Sequence, residues 1–293
     1  MATISITCFT DPGCPWAYSA EPSFQVLRWR YRGQLDWRLV LIGLTERAAE
    51  YEARGYTPLS MARGYQRYRR YGMPFATEPR PRVVATGRAC RTVVAARIDR
   101  PGLEWSVLRA LQLAWFTTPL VLDEDAAILA ALESVPGLDA EALVARLGDA
   151  DVEDAYRRDR AEAREAEGTP ASLQGKTART DGPERYTAPS LTFERDGRRL
   201  VAGGFQPVEA YDVLVANLAP DLGREQPPDG PLPLLEHFPG GLTTQEVATL
   251  LARGNDPPDR LTAEAALIEL AAAGHARRRA VGDDALWLLL LSG

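Results

Sequence analysis

The feature that most limits the fold comes in the first thirty residues. Residues 3–9 (TISITCF) alternate apolar with polar or small side chains, the period of a β-strand. A turn follows at Asp11-Pro12-Gly13, then Cys14 and Pro15 open a helical pattern that reaches about Tyr31. Proline suits a first helical turn, where its missing N–H would have no partner. Pro22 falls inside the same pattern, so a kink or restart is expected there. Residues 35–42 (LDWRLVLI) read as a second, buried strand. A strand–helix–strand opening, with a hairpin closing the pattern later in the chain, predicts a mixed α/β plan.

A long helical stretch is predicted from about 46 to 167. Its amphipathic patterns include Val83–Arg97 and Trp105–Phe116, and others open near Asp123, Asp139 and Asp151, residues suited to helix starts. The charge-dense run 159–167 reads as a solvated helix face. Residues 168–186 read as a loop or irregular insertion. Strands at Ser190–Glu194 and Arg199–Ala202 flank the turn Arg195-Asp196-Gly197, and a helix follows from Pro207 to Leu218. Residues 219–231 carry four prolines and read as a linker. No internal repeat is evident.

With 293 residues, one large or two unequal domains are expected. A composition of 45% apolar and 25% charged residues is that of a globular protein, and a net charge of −6 argues against a general nucleic-acid binder. The N-terminal residues show neither the basic nor the apolar region of a secretory signal. No run approaches the roughly 18 apolar residues that span a bilayer, and the late run Ala285–Leu291 is far shorter. A cytoplasmic protein without membrane contact is therefore expected. Three cysteines, Cys8, Cys14 and Cys90, cannot all pair and read as free thiols. Two histidines, His237 and His275, leave little for a Cys–His protease or a His-rich metal site, and no metal is expected.

Cys14 is the candidate reactive residue. At the first turn of a helix, backbone N–H groups and the helix dipole favour a thiolate, which predicts an exposed thiol of lowered pKa. Trp16 and Tyr18 would form an apolar lip for a substrate. The plainer reading is a half-buried structural cysteine at a strand–helix junction. Cys8 and Cys90 read as small core residues, and Cys90 could resolve an adduct only if it reached Cys14. Gly203-Gly204 reads as a bend, not a phosphate loop. Arg80, Arg82 and Arg88 read as a solvated basic face, or alternatively as a carboxylate-binding patch for a peptide-like thiol cofactor.

The segment Thr10-Asp11-Pro12-Gly13-Cys14-Pro15-Trp16-Ala17-Tyr18 resembles the active-site turn of the DsbA-like thioredoxin superfamily, in its FrnE-like dithiol–disulfide isomerase branch. Thr187-Ala188-Pro189 resembles the cis-proline loop that faces the active cysteine in such folds. The run ERDGRRLVAGGFQP resembles the closing hairpin and the turn into the last helix. The resemblance spans roughly residues 3–220. It implies a thioredoxin fold with a large helical insertion (about 46–167) inside a domain of residues 1–222. It implies Cys14 as catalytic, with Pro15, Trp16, Tyr18, Thr187, Ala188 and Pro189 as substrate-binding residues. The family motif is Cys-x-x-Cys, and its fourth position here is Ala17, so the resolving thiol is missing.

After a linker at 223–231, residues 232–293 read as a compact module. Thr243 and Glu246 have capping-box spacing, Leu261–Ala273 is a second helix stopped by Gly274, and a hairpin closes the chain. This order resembles a winged helix. Its candidate recognition helix carries Glu264 and Glu269 and no Lys or Arg, so nucleic acid is not the expected partner.

Three functions are consistent with these readings. The first is a thiol–disulfide oxidoreductase with Cys14 as sole nucleophile, acting on a protein disulfide or a small thiol or electrophile. Glutathione or mycothiol would serve as external resolver, with no tightly bound cofactor. The second is a redox-silent adaptor, as in the similar SpxH-type proteins, or a regulator that binds a protein partner. The third is a transferase or isomerase similar to kappa-class glutathione transferases and hydroxychromene-carboxylate isomerases. A homodimer is compatible with each.

Overall fold

A computed structural model describes residues 3–180 and 182–290. Asp181 of the predicted loop and Leu291 of the late apolar run lie outside the described residues. β1 (Ile4–Thr10) leads through the Asp11-Pro12-Gly13 turn into α1 (Pro15–Arg30), and β2 (Leu35–Leu41) follows. α1 runs unbroken through Pro22, without the expected restart. Proline inside a helix costs about 3 kcal/mol, but α1 is buried along most of its length, from Ala17 and Tyr18 to Trp29, and packing outweighs the lost N–H.

The insertion begins with α2 (Ala48–Glu52) and α3 (Pro58–Tyr68), the latter capped reciprocally by Thr57 and Ser60. A short 3₁₀ turn at Arg69–Tyr71 ends it, and residues 72–86 then contain no helix. The helix predicted from Val83 starts only at Gly87, as α4 (Gly87–Asp99). Asp123 explains the difference: it accepts from Ala85 N at 3.1 Å and from both terminal nitrogens of Arg82, holding buried Val83 and Val84 outside the helix. α5 (Leu103–Thr117), α6 (Asp125–Leu132), α7 (Ala140–Ala145) and α8 (Ala150–Ala163) complete the insertion. The predicted loop 168–186 holds α9 (Pro170–Leu173) and a hairpin of β3 (Thr177–Ala178) and β4 (Arg185–Tyr186). Buried Tyr186 anchors that hairpin, stacked 4.2 Å from Phe9.

β5 (Ser190–Arg195) and β6 (Arg198–Ala202) form the second hairpin, and α10 (Val208–Leu218) follows. Its two-residue turn places Asp196 at φ 51° and Gly197 at φ 74°, the left-handed region that such a tight hairpin requires. The main sheet has the order β2-β1-β5-β6. β1 runs parallel to β2, with Cys8 opposite Leu39, and antiparallel to β5, with Cys8 opposite Leu191. This is the mixed α/β sheet expected of a thioredoxin fold. It brings the end of β1, where Cys14 sits, beside the entry to β5.

The C-terminal residues form α11 (Leu232–His237), β7 (Leu242–Thr243), α12 (Thr244–Leu251), α13 (Arg260–Ala272), β8 (Ala276–Val281) and β9 (Asp284–Leu289). Their antiparallel sheet has the order β7-β9-β8. Their apolar core, with Leu242, Val247, Leu267 and Trp287, also takes in Val26 and Trp29 of α1. The proline-rich 219–231 segment is tied down: Glu225 N donates to Arg30 O and Trp29 Nε1 to Gln226 O, both at 2.9 Å. Arg109 of α5 makes a bidentate pair with fully buried Glu246 of α12, at 2.7 and 2.8 Å. Among the described residues, no helix is long and apolar enough to cross a membrane.

Candidate active site

Cys14 caps the N-terminus of α1 in an extended conformation (φ −87°, ψ 112°). Its Sγ donates to the Ala188 carbonyl at 3.1 Å, and the Ala188–Pro189 peptide is cis. The sheet order makes this meeting: β1 ends where β5 begins, so the turn before α1 and the loop before β5 close on each other. Thr187 is half-buried and donates through Oγ1 to Lys176 O, while Ser190 Oγ donates to Thr187 O, which fixes the loop from both sides.

The expectation of an exposed, acidic thiol does not hold for this conformation. Cys14 is 6% exposed, and burial pushes its thiol up to about 12. The amides of Ala17 and Trp16 pull the other way, as does Arg185, while the Asp11 carboxylate adds to the rise. The helix start is present, but loss of solvent costs the thiolate more than the first-turn amides return.

Asp11 was read only as a turn former, and it is the centre of a buried network. Its carboxylate is inaccessible to solvent and accepts from Gly13 N and Leu44 N at 2.8 Å, Thr86 Oγ1 at 2.9 Å and Cys90 Sγ at 3.4 Å. It thereby joins the turn before Cys14 to the end of β2 and the start of α4. Gly13 is required by close approach: a Cβ there would lie 2.6 Å from Thr86 Cγ2 and 2.9 Å from the Trp115 ring.

Tyr18 is a core residue and not part of a lip. It is 1% exposed, stacks on Phe116 and donates its hydroxyl to Pro74 O. Pro15 and Trp16 are half-buried. Trp16 meets Tyr68, Tyr71 and Phe205 at centroid distances of 5.0, 5.5 and 5.5 Å, so an aromatic wall replaces the expected Trp16–Tyr18 pair. Burial, with the nearby Cys14, pushes the Tyr68 hydroxyl up to about 12. The signal for this wall is the spacing of Tyr68 and Tyr71, three residues apart.

Ala17 is buried one turn from Cys14. Cys8 and Cys90 are also buried, and all three thiols are free. Cys14 points to Ala188 and Cys90 to Asp11, and the two belong to separate apolar clusters, so the structure does not bring them together as a pair. Of the arginines of the expected basic face, Arg82 pairs with Asp123 and Glu124 and Arg88 with Asp125, while buried Arg80 donates to Leu120 O and Tyr65 Oη. Arg82 and Arg88 thus already hold carboxylates of the chain itself. Among the described residues, no group of His, Cys, Asp and Glu could hold a metal ion.

Over residues 5–186 the sequence matches the family described as the DSBA-like thioredoxin domain. The chain belongs to that family. Membership places it with thiol–disulfide oxidoreductases. No curated protein matches the sequence. The DSBA-like fold is also seen in solved structures. A protein from Nitrosomonas europaea assigned as a disulfide isomerase is 17% identical with a TM-score of 0.56, covering 73% of this chain and 97% of its own. The cytosolic disulfide reductase DsbM from Pseudomonas aeruginosa is 20% identical with a TM-score of 0.51, covering 73% and 100%. A structure of DsbM with GSH aligns with the same TM-score at 19% identity, covering 73% and 98%. At these identities the likeness is one of fold.

Proposed function

We propose that the protein is a monothiol thiol–disulfide oxidoreductase with Cys14 as its nucleophile. The observation that carries this is the contact of Cys14 Sγ with Ala188 O, at a helix start and against the cis-proline loop. Substrate entering beside Trp16 would displace the Ala188 carbonyl and leave the sulfur facing the Trp16 and Ala17 amides. The thiol loses its proton to solvent, and the thiolate attacks one sulfur of a disulfide. A Cys14–S–S bond forms, the substrate S–S bond breaks, and the second substrate sulfur leaves as a thiolate that takes up a proton. With Ala17 at the usual resolving position, an external thiol attacks the mixed disulfide, frees Cys14 and leaves as part of a new disulfide. Glutathione is the favoured external thiol, since DsbM, which has a similar fold, was solved with GSH; mycothiol has the same chemistry.

In this reading residues 1–222 are one DsbA-like unit of the FrnE-like branch, and Pro15, Trp16, Thr187, Ala188 and Pro189 line the substrate path. Residues 232–293 form a winged-helix-like module, supported by the order helix, strand, two helices and hairpin. The test is turnover of a glutathione mixed disulfide of a small thiol, with glutathione as reductant. Cys14→Ser is expected to fall to the uncatalysed rate; a variant that keeps wild-type turnover overturns the assignment.

A second reading has its own support. The burial of Cys14, its raised pKa and the loss of the resolving thiol at Ala17 also suit a protein that keeps the fold and binds a partner without redox chemistry. A partner retained by Cys14→Ala, together with absent turnover in the wild type, would favour it.

A further inference from the structure

A second feature lies away from Cys14. Between the helical insertion and the C-terminal residues there is a cleft of about 720 Å³, within the size range of small-molecule sites. Four guanidinium groups line it: Arg100 before α5, Arg109 on α5, and Arg277 and Arg279 on β8. Its floor is apolar, with Leu113 and Leu288. No carboxylate is among the lining residues.

The strand geometry explains how these cations come together. Alternate residues of β8 face opposite ways. Arg278 lies over the Trp287 ring, on the face turned to the module's own core. Arg277 and Arg279 point to the other face, paired across the hairpin with Leu288 and Leu286. That face packs against the main apolar core, of which Leu286 is a buried member and against which Leu288 packs.

Among the described residues, three of the four cations in the cleft lack a carboxylate partner, although many arginines of the chain have one. Arg82, Arg91, Arg97 and Arg146 all hold carboxylates, and the net charge is −6. Arg109 has its partner in Glu246. Among the described residues, Arg100, Arg277 and Arg279 make no ion pair, and Arg279 Nε is buried without a hydrogen-bond partner. Burial, with Arg277 and Arg109 beside it, depresses the Arg279 guanidinium. Arg279 is half-buried beside like charges, an unfavourable arrangement that a bound anion relieves.

We propose that this cleft binds a small organic anion, a phosphate or carboxylate carried on an apolar body. The anionic group sits among Arg277, Arg279 and Arg100, and the apolar body lies on Leu113 and Leu288. Because the walls come from the insertion and from β8, the ligand holds the C-terminal residues against the rest of the protein and raises the melting temperature.

The test uses the full chain and 1-anilinonaphthalene-8-sulfonate, an organic anion with an apolar body, followed by its fluorescence. AMP and decanoate are the competitors, one for each anionic group. The Arg277→Ala/Arg279→Ala double variant breaks no ion pair and keeps its fold, checked by its circular dichroism. It should bind the probe about tenfold or more weakly, as expected for loss of charge-assisted contacts. Arg278→Ala, a charge loss on the opposite face of the same strand, should bind as the wild type does. Displacement by AMP alone identifies a phosphate ligand, by decanoate alone a carboxylate, and by both a site for either. Equal weakening in all variants, no weakening, or displacement by neither competitor overturns the proposal.

Discussion

Cys14 is where two opposing effects meet. The helix start favours the thiolate and burial disfavours it, and burial prevails, pushing the thiol up to about 12. In a Cys8→Ala/Cys90→Ala background, the rate of alkylation by iodoacetamide should therefore be slow at pH 7 and rise about tenfold per pH unit beyond pH 9, following the thiolate fraction. A plateau near pH 7 would show that the buried conformation is not the reacting one. The same shift affects stability. Cys14 ionises more easily in the unfolded chain, near its ordinary value of 9.0, so its burial stabilises the fold fully below that pH and loses this effect as pH rises toward 12. Ala17 offers a direct gain of function. Ala17→Cys restores a dithiol one turn apart, and the oxidised variant should lose two hydrogens by intact mass; an unchanged mass would mean the geometry of this turn does not allow the bond. Asp11→Ala leaves the amides of Gly13 and Leu44 buried without partners and should cost about 2–4 kcal/mol in denaturant unfolding.

Among the elements, most boundaries were legible because local signals and tertiary packing agree. β1, α1, β2, the 190–202 hairpin and the Thr243–Glu246 capping box all follow from short-range patterns. The misreadings arise where a distant side chain decides. Val83-Val84-Ala85 has a helical pattern, but Asp123, far along the chain, holds it outside the helix. Tyr18 follows the CPW turn at a spacing that suggests exposure, yet α1 is covered on that side by Phe75 and Phe116 from the insertion. Burial at Cys14 was hidden for the same reason, since its cover is the 187–189 loop. The Arg109–Glu246 pair joins α5 to α12 and could not be read from either helix alone. Burial by itself would raise Glu246; Arg109 and the capping contacts at Thr243 hold it below its ordinary value. The pair therefore stabilises above pH 4.5 and fails as pH falls through the lowered value. Arg109→Ala strands a buried carboxylate and should cost about 3–5 kcal/mol, measured by urea unfolding at pH 7. A loss below 1 kcal/mol, roughly the worth of a surface pair, would show that water reaches Glu246.

At the scale of the whole molecule, the C-terminal residues are built onto the thioredoxin-like body. Val26 and Trp29 of α1 complete their core, Asp283 accepts from Phe75 N at 2.7 Å, and Thr243 Oγ1 donates to Met73 Sδ. Removing residues 232–293 would expose Val26 and Trp29 at about 1.5–3 kcal/mol each. The intact chain should unfold in a single calorimetric transition; two well-separated transitions would show that the parts are independent. Such packing sets α1, and with it Cys14, between the cis-proline loop at 187–189 on one side and the C-terminal core on the other. The most direct measurement is intact mass after exposure to glutathione disulfide, then after excess glutathione. Wild type should gain one glutathionyl group and lose it again, while Cys14→Ser stays unmodified. No adduct on the wild type, or the same adduct on the variant, would contradict Cys14 as the nucleophile.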